Sequence, residues 1–198
     1  LREADPVCLG QALLGGAPPQ WLGGSASVVF TAEDRGDIRL FRVGTAGGGP
    51  PAPLTGPIRQ VREVSTSRDG NLIAFTATDP VMPSEVFVCQ GDGGGERQLT
   101  DLNRAWRAQV ALSRPERFQF ERAGFTVDGW VMRPAGFEAG RRYPALLNVH
   151  GGPHAQYGFP FFDEFHVQAG AGYAVVYTNP RGSQGYGEAF TRAVIGDW

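Results

Sequence analysis

The sequence predicts two architectures in series: β-propeller blades (all-β), followed by the opening part of an α/β domain. Three observations carry this. The first half contains an internal repeat, the last third alternates apolar strand-like runs with a helix-like run, and a glycine-rich loop stands between strand and helix.

The repeat is seen when Val28-Val29-Phe30-Thr31-Ala32 is laid over Leu72-Ile73-Ala74-Phe75-Thr76-Ala77, which places Phe30 and Phe75 45 residues apart. Leu54-Thr55 and Leu99-Thr100 recur at the same spacing, and Gly47-Gly48-Gly49 answers Gly93-Gly94-Gly95 one residue out of step. Within each unit, β-rich runs (Val28 to Ala32 and Ile38 to Val43, then Asn71 to Thr76 and Glu85 to Cys89) are separated by turn formers such as Asp69-Gly70. Each unit is therefore expected to be a small antiparallel meander. A period of about 40 to 50 residues built from short strands is the mark of propeller blades, which bury their faces only against neighbours. Two blades do not suffice, so further blades are expected before Leu1.

From Asn103 to Pro115 the rhythm is lost. Arg117 to Glu121 and Phe125 to Arg133 then read as a hairpin turning at Ala123-Gly124. After a polar connection from Pro134 to Arg142, Ala145-Leu146-Leu147-Asn148-Val149 is the nearly continuous apolar run of a buried parallel strand. Phe161 to Ala171 suits a helix closed by Gly170 and Gly172, Tyr173 to Tyr177 suits a second strand, and Glu188 to Ile195 starts another helix. Strand, helix and strand make one right-handed βαβ unit with its functional edge at the carboxyl ends of the strands, in the loops His150 to Pro160 and Thr178 to Gly187. The expected division is residues 1–115 for closing blades and 116–198 for the N-terminal portion of the α/β domain.

Composition narrows the classes. A chain of 198 residues with 41% hydrophobic content can bury a core without metals or disulfides. A net charge of −2 and a pI near 5.9 lack the clustered basic excess of a nucleic-acid binder, and all 18 basic residues are arginine. Cys8 and Cys89 form no C-x-x-C pair, so a reducing, cytoplasmic setting without structural disulfides is expected. No apolar run reaches the roughly 18 residues of a membrane span. The chain starts at Leu1 rather than methionine and stops at Trp198 within a pattern, so it reads as a fragment.

His150-Gly151-Gly152-Pro153 follows a predicted strand and precedes a helix, where α/β-hydrolases place a backbone N–H of the oxyanion hole. Glycine suits that task because, without a Cβ, its peptide can approach a substrate oxygen. On local sequence alone the same residues also read as a plain Gly-Gly-Pro turn. A catalytic base in this chain order follows the nucleophile, so His150 reads as a brace for the loop. His150 and His154 are four apart like zinc ligands, but the glycines and proline between them forbid the helix that would align them, so neither metal nor cofactor is expected. Arg181-Gly182-Ser183-Gln184-Gly185 imitates the nucleophile elbow G-x-S-x-G with arginine in place of its first glycine. Its loop is too long for a strand-to-helix elbow, so Ser183 is not expected to be the nucleophile. Arg181 reads instead as a loop anchor bonded to carbonyls and carboxylates. Tyr157, Phe159 and Tyr186 serve either packing or a pocket wall, His166 reads as surface or partly buried, and Asp163 and Glu164 as the solvent side of their helix.

Tyr143-Pro144 to Val149, His150-Gly151-Gly152-Pro153, Gly172-Tyr173-Ala174-Val175, Asn179-Pro180-Arg181-Gly182-Ser183 and Gly185-Tyr186-Gly187 with Phe190 together resemble the prolyl oligopeptidase family of serine peptidases. Leu99-Thr100 with Asn103, and Gly129-Trp130 before Arg133-Pro134, resemble the domain junction of its acylaminoacyl-peptidase and dipeptidyl-aminopeptidase branch. The resemblance implies a β-propeller before an α/β-hydrolase domain, with Gly151 and Gly152 in the oxyanion loop and Gly152 the donor. The implied serine, aspartate and histidine would all lie beyond Trp198, with Gly196-Asp197-Trp198 the last motif before them. The parent protein is thus expected to hydrolyse short peptides without a cofactor, away from nucleic acid and membrane, and is compatible with a homo-oligomer, while the fragment alone is expected to be inactive. Two other readings stay open: a carboxylesterase-type α/β-hydrolase, and a propeller-based binding protein with a degenerate hydrolase part.

Overall fold

A computed structural model describes the backbone of Asp5–Pro6 and residues 18–47 and 49–197. Cys8 and Gly48 lie outside the described residues. The first meander holds β1 (Asp5–Pro6), β2 (Gln20–Leu22), β3 (Ser27–Asp34), β4 (Asp37–Gly44) and β5 (Ala52–Pro53); the second holds β6 (Gln60–Thr66), β7 (Leu72–Asp79), β8 (Met82–Gln90) and β9 (Arg97–Gln98). Pairing runs antiparallel in the orders β2-β3-β4-β5 and β6-β7-β8-β9, with β1 also against β3. One parallel residue pair, Ile38 with Gln60, joins the two. Alternation along the strands puts Leu22, Val29, Leu40, Val61, Ile73 and Phe75 into one core between them. Cys89 belongs to that core, where burial pushes its thiol up to about 11 and keeps it protonated.

The sequence repeat is a repeat of bonds. Leu54 N–H donates to Leu40 O at 2.7 Å and Leu99 N–H to Val86 O at 2.7 Å, while the Thr55 hydroxyl accepts Leu40 N–H and the Thr100 hydroxyl accepts Val86 N–H. Phe30 stacks on its cross-strand partner Phe41, and Phe75 on Phe87. β6 was not among the predicted strands: Arg62-Glu63 interrupts its alternation at a bulge where Glu63 takes φ of 49°.

The arrhythmic stretch contains a short helix, α1 (Arg104–Arg107), which lacks an apolar stripe and so had no periodic signal. Its approach is fixed by Glu85, a buried carboxylate that accepts hydrogen bonds from the Thr100 hydroxyl, Leu102 N–H, Asn103 N–H and Asn103 Nδ2. Burial pushes this carboxyl up, but those four donors together hold it below its ordinary value.

The second sheet comprises β10 (Pro115–Arg122), β11 (Phe125–Met132), β12 (Ala145–Asn148) and β13 (Ala174–Asn179), with α2 (Asp163–Gly170) between the last two and α3 (Glu188–Arg192) after them. Its order is β10-β11-β13-β12: antiparallel between β10, β11 and β13, parallel between β13 and β12. Trp130, Met132, Phe159, Phe165, Ala169, Val175 and Tyr177 pack where α2 covers it. α2 ends as its glycine pattern predicts: Gly172 takes φ of 94° while Tyr173 N–H reaches Gln168 O and Gly172 N–H reaches Ala169 O, the bond pair of a Schellman cap.

Two expectations need correction. β12 is parallel as expected but not buried: it pairs on one side only, and Leu147 and Val149 are 65% and 68% exposed. His166 is buried, not at the surface, because α2 also faces the second meander, where its Nε2 lies 2.7 Å from Pro80 O. Asp163 and Glu164 do face solvent in the first turn of α2, where acidic groups suit the helix dipole.

Asp37, at the start of β4, is buried and accepts Ile58 N–H at 2.6 Å and Arg59 N–H at 3.0 Å. Burial outweighs these bonds and raises its carboxyl to about 6. Because the folded value lies above the unfolded one, the contribution of this group to stability is full below about pH 4 and is lost as pH rises through about 6. We expect Asp37→Asn, whose amide oxygen can still accept both N–H groups, to gain on the wild type by up to about 3 kcal/mol between pH 4 and pH 7 in urea denaturation. A difference that stays constant across that range would sink the expectation.

Candidate functional site

β12 and β13 end side by side, so the chain leaves both at the same edge of the sheet. From β12 comes the loop His150 to Pro160, from β13 the loop Pro180 to Gly187. Asn179, fully buried at the end of β13, joins them: its Oδ1 accepts Tyr157 N–H at 2.8 Å, and its Nδ2 donates to Tyr157 O and the Tyr186 hydroxyl, both at 2.9 Å. One side chain thus satisfies the backbone of the facing loop much as a further strand would.

Within the first loop, Gly151 and Gly152 are exposed, and neither N–H donates to another of the described residues. Gly152 has φ of 139°, and a Cβ there would lie 2.9 Å from His154 N and 3.0 Å from Ala155 N; a Cβ on Gly151 would meet open space. The two glycines therefore differ: only Gly152 stands in a conformation that other residues rarely adopt. The loop is braced from both histidines. His150 Nε2 lies 2.9 Å from Ser183 Oγ and its Nδ1 2.9 Å from Gly151 O, while His154 Nδ1 lies 3.0 Å from Gly182 O. His150 is thus the brace its sequence context suggested.

A serine hydroxyl beside an imidazole invites a catalytic reading, which burial rules out. Ser183 has no exposed surface, and its Oγ also donates to Pro180 O at 2.7 Å. It lies in a wide turn, not on a strand-to-helix elbow. Arg181 anchors that turn as expected, donating to Ala193 O at 2.7 Å and to the Asp197 carboxylate at 2.8 Å.

The aromatic residues divide between packing and wall. Phe159 packs edge-on against Trp130, and Tyr157 contacts Phe162, Phe165 and Tyr177. Tyr186 lines a cleft of about 420 Å³ with Arg35, Gln119, Phe125, Asp128 and Phe190. Burial, with the neighbouring Asp128 carboxylate, pushes its phenol far up, so it stays neutral. Asp128 is held by the guanidinium of Arg117 and by Gln119 Nε2 at 2.8 Å. Arg117, Gln119, Asp128 and Arg35 were not singled out in the sequence, since they meet only across β10, β11 and the first meander.

An open mixed sheet that sends two such loops to one carboxyl edge is an α/β domain with its functional edge there. Residues 159–198 match the model of the prolyl oligopeptidase family. The likeness extends further. The uncharacterized peptidase YuxL of Bacillus subtilis is 40% identical over 197 residues, covering 96% of this chain and 29% of that protein. The probable dipeptidyl-peptidase 5 of Aspergillus niger is 28% identical, covering 90% of this chain and 25% of that protein. An acylaminoacyl peptidase solved in complex with Z-Gly-Gly-Phe-chloromethyl ketone superposes with a TM-score of 0.78 at 28% identity, over 90% of this chain and 27% of its own. The chain thus spans less than a third of each of these proteins.

Proposed function

We propose that this chain is part of a serine peptidase acting on short peptides. In this reading the two meanders are blades of a β-propeller, and residues from 116 onward open an α/β-hydrolase domain. The carrying observation is Gly152: an exposed backbone N–H without an acceptor among the described residues, at the carboxyl edge of a parallel strand, in a conformation that favours glycine. Such a donor stabilises the negative charge that develops on a carbonyl oxygen when a nucleophile adds to it. His150, held by Ser183, keeps the loop in place and takes no proton from substrate. The attacking serine, its histidine and its aspartate belong to residues beyond 198. The free edge of β12, with Leu147 and Val149 exposed, offers a further strand the surface on which to bring that serine to Gly152. A bound peptide chloromethyl ketone in the acylaminoacyl peptidase supports peptides over simple esters as substrates.

The test has two arms. The full-length protein is expected to hydrolyse an aminoacyl p-nitroanilide or a short peptide faster than a simple acyl ester; the reverse order would favour a carboxylesterase. No turnover and no labelling by a fluorophosphonate would leave a binding protein. The 198-residue chain is expected to show no turnover and no labelling, since Ser183 is sealed. Stoichiometric labelling at Ser183 would overturn the assignment.

A further inference from the structure

The segment running from the glycine loop into α2 is held from outside its own sheet, by the turns of the two meanders. At the tip of the β3–β4 hairpin, Gly36 N–H donates to Gln156 Oε1 at 3.0 Å, and Gln156 Nε2 donates to Asp37 O at 3.2 Å. The side-chain amide thus pairs with one N–H and one C=O of consecutive residues, as a peptide group would in a sheet. Phe159 N–H donates to Gly36 O at 3.1 Å, and Arg35 N–H to Gly185 O at 3.0 Å, so one turn grips both loops of the functional edge. The β7–β8 turn grips the same segment further on: Thr78 Oγ1 accepts Phe161 N–H at 3.1 Å, and His166 Nε2 meets Pro80 O.

The fit at the first turn leaves no slack. A Cβ on Gly158 would lie 1.9 Å from Gly36 O, one on Gly36 2.8 Å from a Trp130 ring carbon, and one on Gly185 2.6 Å from Gln156 Oε1. In contrast, Gly151 and Gly152 are exposed and bonded to nothing described through their N–H groups. Their position depends on the fixed points flanking them, which are the end of β12 and His150, bonded to Ser183, before, and His154 and Gln156 after.

We propose that the β3–β4 hairpin tip sets the position of the loop carrying Gly152, with Gln156 as the positioning residue that couples the repeat half of the molecule to the oxyanion site. This rests on the peptidase reading of that loop. The oxyanion site is then complete only while the hairpin is seated. A donor displaced by an ångström or less weakens transition-state binding far more than substrate binding, so the loss appears in kcat and not in KM.

The experiment uses the full-length protein with an aminoacyl p-nitroanilide. Gln156→Ala is expected to lower kcat by about tenfold to a hundredfold with KM changed less than about twofold. The melting temperature should stay within about 3 °C, since one partly exposed hydrogen-bond pair is lost. Gln156→Glu, which keeps an acceptor for Gly36 N–H but no donor for Asp37 O, is expected to fall between Ala and wild type. Amide exchange across residues 148–158 should quicken in Gln156→Ala. An unchanged kcat, or a loss that follows the fall in melting temperature with Glu no better than Ala, overturns the proposal. If the wild type neither hydrolyses nor reacts with a fluorophosphonate, the peptidase reading fails and exchange decides the coupling alone: faster exchange supports it, and unchanged exchange overturns it.

Discussion

Under the proposed peptidase reading, Gly152→Ala in the full-length protein is expected to lower kcat by about 10²- to 10³-fold, the usual cost of losing one oxyanion donor. The structure gives two separate reasons. A φ of 139° is expensive for any residue with a Cβ, and that Cβ would press on the backbone nitrogens of His154 and Ala155, neither of which can yield as a flexible side chain would. The loop must therefore shift, and the N–H with it. Gly151→Ala is the matched control: its Cβ would meet open space, so kcat should stay within about threefold. Steady-state kinetics on both variants checks the pair, and a Gly152→Ala enzyme that keeps wild-type kcat would remove Gly152 from the site.

The largest effect on stability is expected at Trp130. Fully buried on β11, it stacks on Tyr177 at 5.4 Å, meets Phe159 edge-on at 5.7 Å, and supports the Gly36 turn. Trp130→Ala removes the largest side chain of the second core and leaves a cavity between sheet, helix and hairpin, at a cost of about 3 to 5 kcal/mol. Trp130→Phe should cost much less, because the indole N–H finds no acceptor among the described residues and no polar bond is lost. Urea denaturation of both variants measures the difference; a Trp130→Ala protein within about 1 kcal/mol of wild type would show that Trp130 carries little of this core's stability.

Much of the architecture was legible because it is written in local patterns. Phe30 and Phe75, and Leu54-Thr55 and Leu99-Thr100, announced a repeat, and each pair turned out to make the same bond or stack in its own meander. Gly172 announced the end of α2 because a Schellman cap needs a positive φ. β6 was missed because a bulge at Arg62 and Glu63 breaks the two-residue period, and α1 because four residues carry no helical period. The strand β12 read as buried, since its apolar composition is local, whereas its exposure depends on what pairs with its far edge.

The candidate site divides in the same way. The glycine loop could be read as a turn, because a conformation that favours glycine, as at Gly152, leaves its mark in the residues that make it, whereas its role as an oxyanion loop rested on context along the chain. That Ser183 is sealed and bonded to His150, that His166 is buried, and that Gln156 grips Gly36 could not be read, since each depends on contacts between residues 33 to 120 positions apart. Sequence by itself determined the regularly patterned elements, the repeat and the glycine loop, for these follow from backbone preference and from periods of a few residues. Only the tertiary structure decided which side chains are bonded and which N–H groups stay free, because burial and hydrogen-bond partners belong to the packed whole and not to any segment of it.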